Sequence, residues 1–432
     1  MSIEESTESD SIDLTQPNSH YVQNVMNLAD SHEIVASEDV FDSRGTKLIA
    51  KGARVDQGLH DRLLRFKLRK PLEVSLTVND GLNPQKLLAE AEAMLDQIPP
   101  LSNLLQPAVT RREVMSTIKD MKLGRVSTLL ASMEGARLQG PCNHSILAVV
   151  TSLGIGVRLG IDSSLLPNLA IASLLHDVGE LYINPEYRTP GHILTPTEWK
   201  HIAAHPRIGQ LVIQETTSLP QSVATAIAEH HERPNGFGYP GRLDSKELSP
   251  LGQILLVSEV LCGILSKTDN ALERACLAVK VIPGEYPKDI VSLVATIRQK
   301  EDSPASAPPG EERTEQIIAR AKRINQIIDT THLTLDKMGN PASAAAKLHD
   351  RIRERIVMLQ RAVHATGLSE CIGIGSLSSG DMASLALEIE TVFYEIEWRL
   401  RELARQVSLA IDTFPADQQA KFELVVTALS PN

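Results

Sequence analysis

The chain has 432 residues, 42% hydrophobic and 22% charged, a soluble globular composition in a length that predicts two or three domains. Its formal net charge of −11 excludes sequence-independent nucleic-acid binding, which needs a basic footprint, and no run is apolar and long enough for a membrane span. The four cysteines, Cys142, Cys262, Cys276 and Cys371, form neither a CxxC pair nor a disulfide-like spacing, which predicts a reducing, cytoplasmic setting.

Residues 1–31 open with the acidic, Ser/Thr-rich stretch MSIEESTESDSIDLTQPNSH. It has the pattern of neither a signal nor a transit peptide and predicts a disordered tail. Residues 32–80 predict a small module with strands. VFDSRGTKLIAKGARV places two apolar runs around Ser43-Arg44-Gly45, a hairpin pattern, and LEVSLTV after Pro71 alternates like a strand. Between them GLHDRLLRFKLRK reads as a short basic helix. The module is read equally well as a docking or regulatory unit and as a cap on the next domain.

Residues 81–125 predict a helical linker broken at Pro99-Pro100. From 126 to 300 the patterns are helical throughout. TPTEWKHIAAH has a clear start, with Thr195 as cap, Pro196 in the first turn and Glu198 three residues on. EDSPASAPPGEER, 301–313, reads as a linker. Residues 314–432 predict a C-terminal helical bundle; CIGIGSLSSG within it follows no strand, so a nucleotide loop is not expected. The expected fold class is mainly α: an all-α bundle, a small N-terminal module with strands, and the C-terminal bundle.

Seven of the 13 histidines fall between 144 and 231: His144, His176, His192, His201, His205, His230 and His231. His192 and His201 read as surface residues. The others stand where ligands could stand. His144 begins a helix; His176 and Asp177 end an apolar one, with Gly179 as a stop signal. His205 precedes Pro206 and marks a boundary. His230 and His231 end a helix before Pro234-Asn235-Gly236. Glu259 sits in QILLVSEVLCGIL, where an unpaired carboxylate would be costly to bury. Imidazoles with one or two carboxylates suit zinc, manganese or iron, and two close cations suit phosphoryl chemistry.

These residues resemble the HD-GYP family, a branch of the HD phosphohydrolases, over about 126–285. The matching stretches are HDVGE at 176–180, HPRIG at 205–209 and HHERPNGFGYPGRL at 230–243, with His144 and VSEVL at 257–261 in the expected places. The resemblance implies an all-α HD-type bundle and a phosphodiesterase that hydrolyses cyclic di-GMP, a bacterial second messenger, by attack of a metal-activated hydroxide on phosphorus. It implies two divalent ions, iron or manganese. His144, His176, Asp177 and Glu259 would hold one; Asp177 would bridge to the other, held by His205, His230 and His231. Asn235, Gly238, Tyr239 and Pro240 would shape the substrate pocket, with Lys267 and Arg274 as phosphate contacts.

This sequence departs from the family pattern at several positions. Glu180 replaces a usual lysine and is expected, as a catalytic-site carboxylate, to repel phosphate. Glu259 replaces an aspartate, and Cys262 stands where a second acid is common. Gly140 stands where some members have a glutamate, which limits the expected metal count to two. These departures support an alternative: a catalytically weak or inactive sensor or scaffold in cyclic-dinucleotide signalling, acting through its terminal modules. The expected partners are cyclic di-GMP, a signalling protein at the N- or C-terminal module, and a second copy of the chain in a homodimer.

Overall fold

A computed structural model describes residues 13–137, 143–189, 191–265, 271–297, 311–339, 344–366, 379–412 and 414–430. They fall into two compact units: Met1–His192 with His201–Cys262, and Ile193–Lys200 with Gly263–Asn432.

The first unit begins with helix α1 (Ser19–Ala29), started by the Asn18 side chain, which accepts from the N–H groups of His20 and Tyr21. Four short strands follow: β1 (Ile34–Ala36), β2 (Val40–Phe41), β3 (Lys47–Ile49) and, after α2 (His60–Leu64) and α3 (Leu72–Ser75), β4 (Leu76–Val78). β2 and β3 form the expected hairpin, and Gly45 supplies the left-handed residue of its turn at φ 88°. β1 pairs antiparallel with β4, in the register Ile34↔Val78 and Ala36↔Leu76.

Then come α4 (Pro84–Gln97), α5 (Pro99–Leu104), α6 (Ala108–Lys119), α7 (Arg125–Arg137), α8 (His144–Leu159), α9 (Leu166–Leu174), α10 (Pro196–Ala203, whose residues up to Lys200 are assigned to the second unit), α11 (His205–Thr216), α12 (Gln221–Glu229) and α13 (Pro250–Leu265, assigned to the first unit up to Cys262). α8 is the axis of this unit. Every residue from Ser145 to Gly156 is buried, and α4, α5, α6 and α9 pack around it. A helix apolar on all sides belongs in a core.

The second unit holds α14 (Ala271–Ala278), α15 (Lys288–Ile297), α16 (Glu311–Met338), α17 (Ala344–Ala365), α18 (Ser379–Ile411) and α19 (Ala416–Leu429). Buried positions on α16 run Ile317, Ala321, Ile324, Ile328, Thr331, Leu335; those on α18 run Ile389, Phe393, Ile396, Leu400, Leu403, Val407. The alternating steps of three and four are a heptad seam. Two forked ion pairs, Arg313–Glu390 and Arg320–Glu397, are seven residues apart on both helices, so α16 and α18 run in the same direction.

The mainly α expectation holds. Several local expectations do not. Residues 19–29 of the expected tail are helix α1, which buries Tyr21, Val22, Val25, Met26 and Leu28. Only the second half of LEVSLTV is strand, because residues 72–75 turn as α3. Residues 32–80 and 81–125 pack with the histidine-rich helices, and the division falls after Cys262, not at 300: α14 and α15 belong to the second unit. The expected linker ends by 311, where α16 begins. Residues 1–12, Gly140, Cys142, Lys267, residues 301–310 and most of CIGIGSLSSG lie outside the described residues.

Candidate metal centre

Helix ends deliver six of the seven ligand candidates, where backbone direction changes and side chains can converge. His144 is the first residue of α8, after the capping Asn143. His176 and Asp177 lie just past α9. His205 begins α11, with Pro206 next. His230 closes α12, and His231 follows. Glu259 reaches in from the middle of α13.

These side chains form two adjoining sets. His144, His176 and Glu259 make one; Asp177, His205, His230 and His231 make the other, and either could hold a metal ion. Asp177 faces both. Its Oδ2 lies 3.4 Å from His176 Nε2 and 3.7 Å from His144 Nε2, while its Oδ1 lies 3.4 Å from His205 Nε2 and 3.5 Å from His230 Nε2. Glu259 Oε2 is 2.9 Å from His144 Nε2 and 3.3 Å from His176 Nε2.

Three imidazoles are fixed from behind. Nδ1 of His176, His205 and His230 donates to the carbonyl oxygens of Ser173, Ile202 and Ile227 at 2.8, 2.7 and 2.6 Å. A carbonyl can only accept, so the neutral ring carries its proton on Nδ1 and turns a lone pair on Nε2 toward the centre. Nε2 atoms then meet in pairs, His144 with His176 at 3.2 Å and His205 with His230 at 3.0 Å. For His205 and His230, both anchored through Nδ1, two lone pairs at such a distance need a cation or a proton between them. The donor set therefore fits divalent metal ions bound by nitrogen and oxygen.

The charges follow the same geometry. Burial opposes charge on His176, yet Asp177 and Glu259 outweigh it and push the imidazole up to about 9. Burial, with His205 and His176 nearby, pushes His230 down to about 4. Burial also opposes ionisation of Asp177 and Glu259, but the surrounding imidazoles hold both carboxyls well below the usual range.

Glycine keeps two contacts tight. Gly179 is not a left-handed stop. A Cβ there would lie 2.0 Å from His205 O and 2.8 Å from Gly209 N, so its absence lets the turn after Asp177 press against α11. At Gly252 a Cβ would meet Glu229 Oε2 at 1.8 Å. Glu229 accepts from Ser249 N and Oγ at 3.0 and 2.6 Å, tying the end of α12 to the start of α13.

The expected pocket loop has its own clamp. Glu232, fully buried, accepts from the N–H groups of Gly241, Arg242 and Leu243 at 2.5, 3.0 and 2.9 Å. Gly238 sits so close to Glu232 and Arg233 that a Cβ would meet their backbone at 2.2–2.4 Å. Tyr239, joined to Pro240 by a cis peptide, stacks on His231 with centroids 4.7 Å apart. Asn235 Oδ1 accepts from Phe237 N at 3.2 Å. Sequence reasoning missed Glu232, although it adjoins the His230-His231 pair.

Other expected residues have different surroundings. Glu180 does not stand as an unbalanced carboxylate: it is buried, and its Oε2 contacts the guanidinium of Arg188. Arg188, another residue the sequence reading missed, ends the 3-10 turn Pro185–Arg188. Cys262 is buried, with its Sγ 3.7 Å from Thr151 Oγ1 on α8. Arg274 lies on α14 in the second unit; the hydrogen bond from Arg313, and then the charges of Arg274 and Arg320, hold Glu390 below the usual carboxylate range.

Residues 124–267 match the HD domain family. Among similar proteins, a cyclic di-GMP phosphodiesterase of Thermotoga maritima is 28% identical over 152 residues, 34% of this chain and 41% of that protein. The cyclic di-GMP phosphodiesterase PA4108 of Pseudomonas aeruginosa is 27% identical over 28% of this chain and 30% of its own length. A 3'3'-cGAMP-specific phosphodiesterase of Vibrio cholerae, its type 3, is 28% identical over 33% and 31%. The chain thus spans less than half the length of each of these relatives. No described helix is long and apolar enough to cross a membrane. By similarity, the family match and the relatives make residues 124–267, a third of the chain, an HD-type domain.

Proposed function

We propose that this chain is a metal-dependent phosphodiesterase for cyclic dinucleotides, with cyclic di-GMP as its first substrate. The observation that carries the reading is the division of Asp177: one carboxylate oxygen faces His144 and His176, the other His205 and His230. His144, His176 and Glu259 would hold one divalent ion, and His205, His230 and His231 the other, with Asp177 shared. Iron or manganese suits these donors. When bound, such a pair lowers the pKa of water and stabilises the charge that develops in phosphoryl transfer.

The protein's own part is positioning. The Nδ1 bonds fix the ligand rings, and Glu232 holds the 241–243 backbone so that Tyr239 backs His231. We assign Asn235, Gly238, Tyr239 and Pro240 to the wall that receives the dinucleotide. Glu180 has a positioning role toward Arg188, which restores a cation next to the position where the family resemblance has lysine. That pairing weakens the case for an inactive scaffold, since Glu180 no longer brings an uncompensated negative charge.

The test is hydrolysis of cyclic di-GMP and of 3'3'-cGAMP by the full chain, under reducing conditions with manganese or ferrous iron. Turnover of cyclic di-GMP that is abolished by a chelator and restored by metal is expected. Metal-loaded protein that cleaves neither dinucleotide would overturn the proposal, and preference for 3'3'-cGAMP would reassign its substrate.

A further inference from the structure

The turn that follows Asp177 is gripped from two sides. It begins with Glu180 N donating to Asp177 O at 2.8 Å and runs as a 3-10 helix from Val178 to Tyr182. On one side Gly179 lies against the backbone of His205 and Gly209. On the other side is the N-terminal part of the chain. Asn24 Nδ2 donates to Leu181 O at 2.9 Å and Asn18 Nδ2 to Tyr182 O at 3.2 Å. The Tyr21 ring stacks on Tyr182, with centroids 4.9 Å apart and planes 12° from parallel. Tyr182 Oη donates to Glu73 Oε1 at 2.5 Å, from the buried α3.

Stability alone is a poor reason for this arrangement. Tyr21, Tyr182 and Glu73 are all buried, and neither Tyr21 Oη nor Glu73 Oε2 has a hydrogen-bond partner. An unmet buried polar atom costs free energy that an apolar side chain of the same shape would avoid. The cluster does, however, fix the position of Tyr182. Any shift of the 178–182 turn would move Asp177 directly and press Gly179 into His205.

We propose that Asn18, Tyr21, Asn24 and Glu73 are positioning residues for the metal centre, acting through Tyr182. Helices α1 and α3 are on this account the rear support of the bridging carboxylate. A ligand or partner that drew α1 or α3 away would loosen Asp177 and His205 together. The inference rests on the metal-centre reading above.

Manganese binding to the full chain, measured by titration against a chelator of known affinity, tests it without reference to substrate. Tyr182→Phe keeps the stack and removes the hydrogen bond; Asn24→Ala removes one half-buried amide. Each is expected to weaken manganese binding by about tenfold, the size typical of support behind a metal ligand, with helix content unchanged. Glu73→Gln keeps an acceptor for Tyr182 and is expected to stay within about twofold of wild type, whereas Glu73→Leu falls with Tyr182→Phe. A purely structural role would lower the melting temperature without changing the metal affinity of folded protein. Wild-type affinity in both folded Tyr182→Phe and Asn24→Ala would overturn this inference alone. A wild-type chain that takes up no metal would overturn the metal-centre reading, and this inference with it.

Discussion

Both units bury charged side chains among helices, and they neutralise them in opposite ways. In the second unit Glu285 lies between two guanidiniums, with Oε1 2.5 Å from Arg355 Nη2 and Oε2 2.5 Å from Arg399 Nη2. Arg399 also reaches Glu395 at 2.6 Å and the carbonyl of Ala278 at 3.2 Å. Burial opposes the charge of Arg399, but Glu285 outweighs it and raises its pKa. Opposite charges are matched there, and nothing further is required. In the first unit two carboxylates face five imidazoles, and among the described residues no lysine or arginine pairs with Asp177 or Glu259. Imidazole Nε2 atoms meet in pairs at 3.0–3.2 Å. The Glu285 cluster is completed by its own side chains; the Asp177 cluster gathers donors that could hold an added cation.

The contrast can be broken most forcefully at Glu285. Glu285→Ala takes the shared carboxylate away from two buried guanidiniums and should cost the second unit about 3–5 kcal/mol. Denaturant unfolding should show the loss, while metal content per folded chain stays at the wild-type value. Loss of metal in a folded variant would show that the two clusters are not independent.

Glu73 sharpens the contrast, because it is a buried carboxylate with one neutral partner. Burial pushes it up to about 7, despite the opposing hydrogen bond from Tyr182. Its folded pKa lies above the unfolded value of 4.5, so the favourable contribution is fully present below pH 4.5 and is lost as pH rises through about 7. Glu73→Gln should therefore be more stable than wild type above pH 7, by up to about 3 kcal/mol, and equal to it near pH 4. Parallel melting temperatures across that range would contradict the assignment.

Glu180 gives a smaller effect. Glu180→Lys would set a second cation against Arg188, which is 41% exposed, and should cost about 1–2 kcal/mol. Thermal melting should register the loss, and turnover should fall with it. Greater turnover in Glu180→Lys would instead mean that the bare carboxylate repels phosphate.

The contrast also shows what the sequence could reveal. Candidate ligand positions were readable because helix caps, proline and the spaced histidines mark element ends: His144 after Asn143, His205 before Pro206, His230-His231 before a turn. The hairpin at Gly45 and the capping box from Thr195 to Glu198 were local signals of the same kind. What stayed hidden depends on contacts distant in sequence. Glu73 meets Tyr182 across 109 residues, and Glu285 meets Arg399 across 114. Acidic composition suggested a disordered beginning, but the apolar face of α1 lies at Tyr21, Val22, Val25, Met26 and Leu28, toward the end of that stretch. Gly179 looked like a helix stop because a close approach to another helix leaves no mark in its neighbours.

The division of Asp177 between two ligand sets is the central claim, and metal content tests it most directly. Wild-type chain and Asp177→Ala should be purified in parallel after loading with manganese or ferrous iron, and the metal per chain determined by elemental analysis. Two ions are expected in wild type and a clear loss in Asp177→Ala, since both sites lose the oxygen they share. Equal, near-stoichiometric metal in the two proteins would contradict the claim.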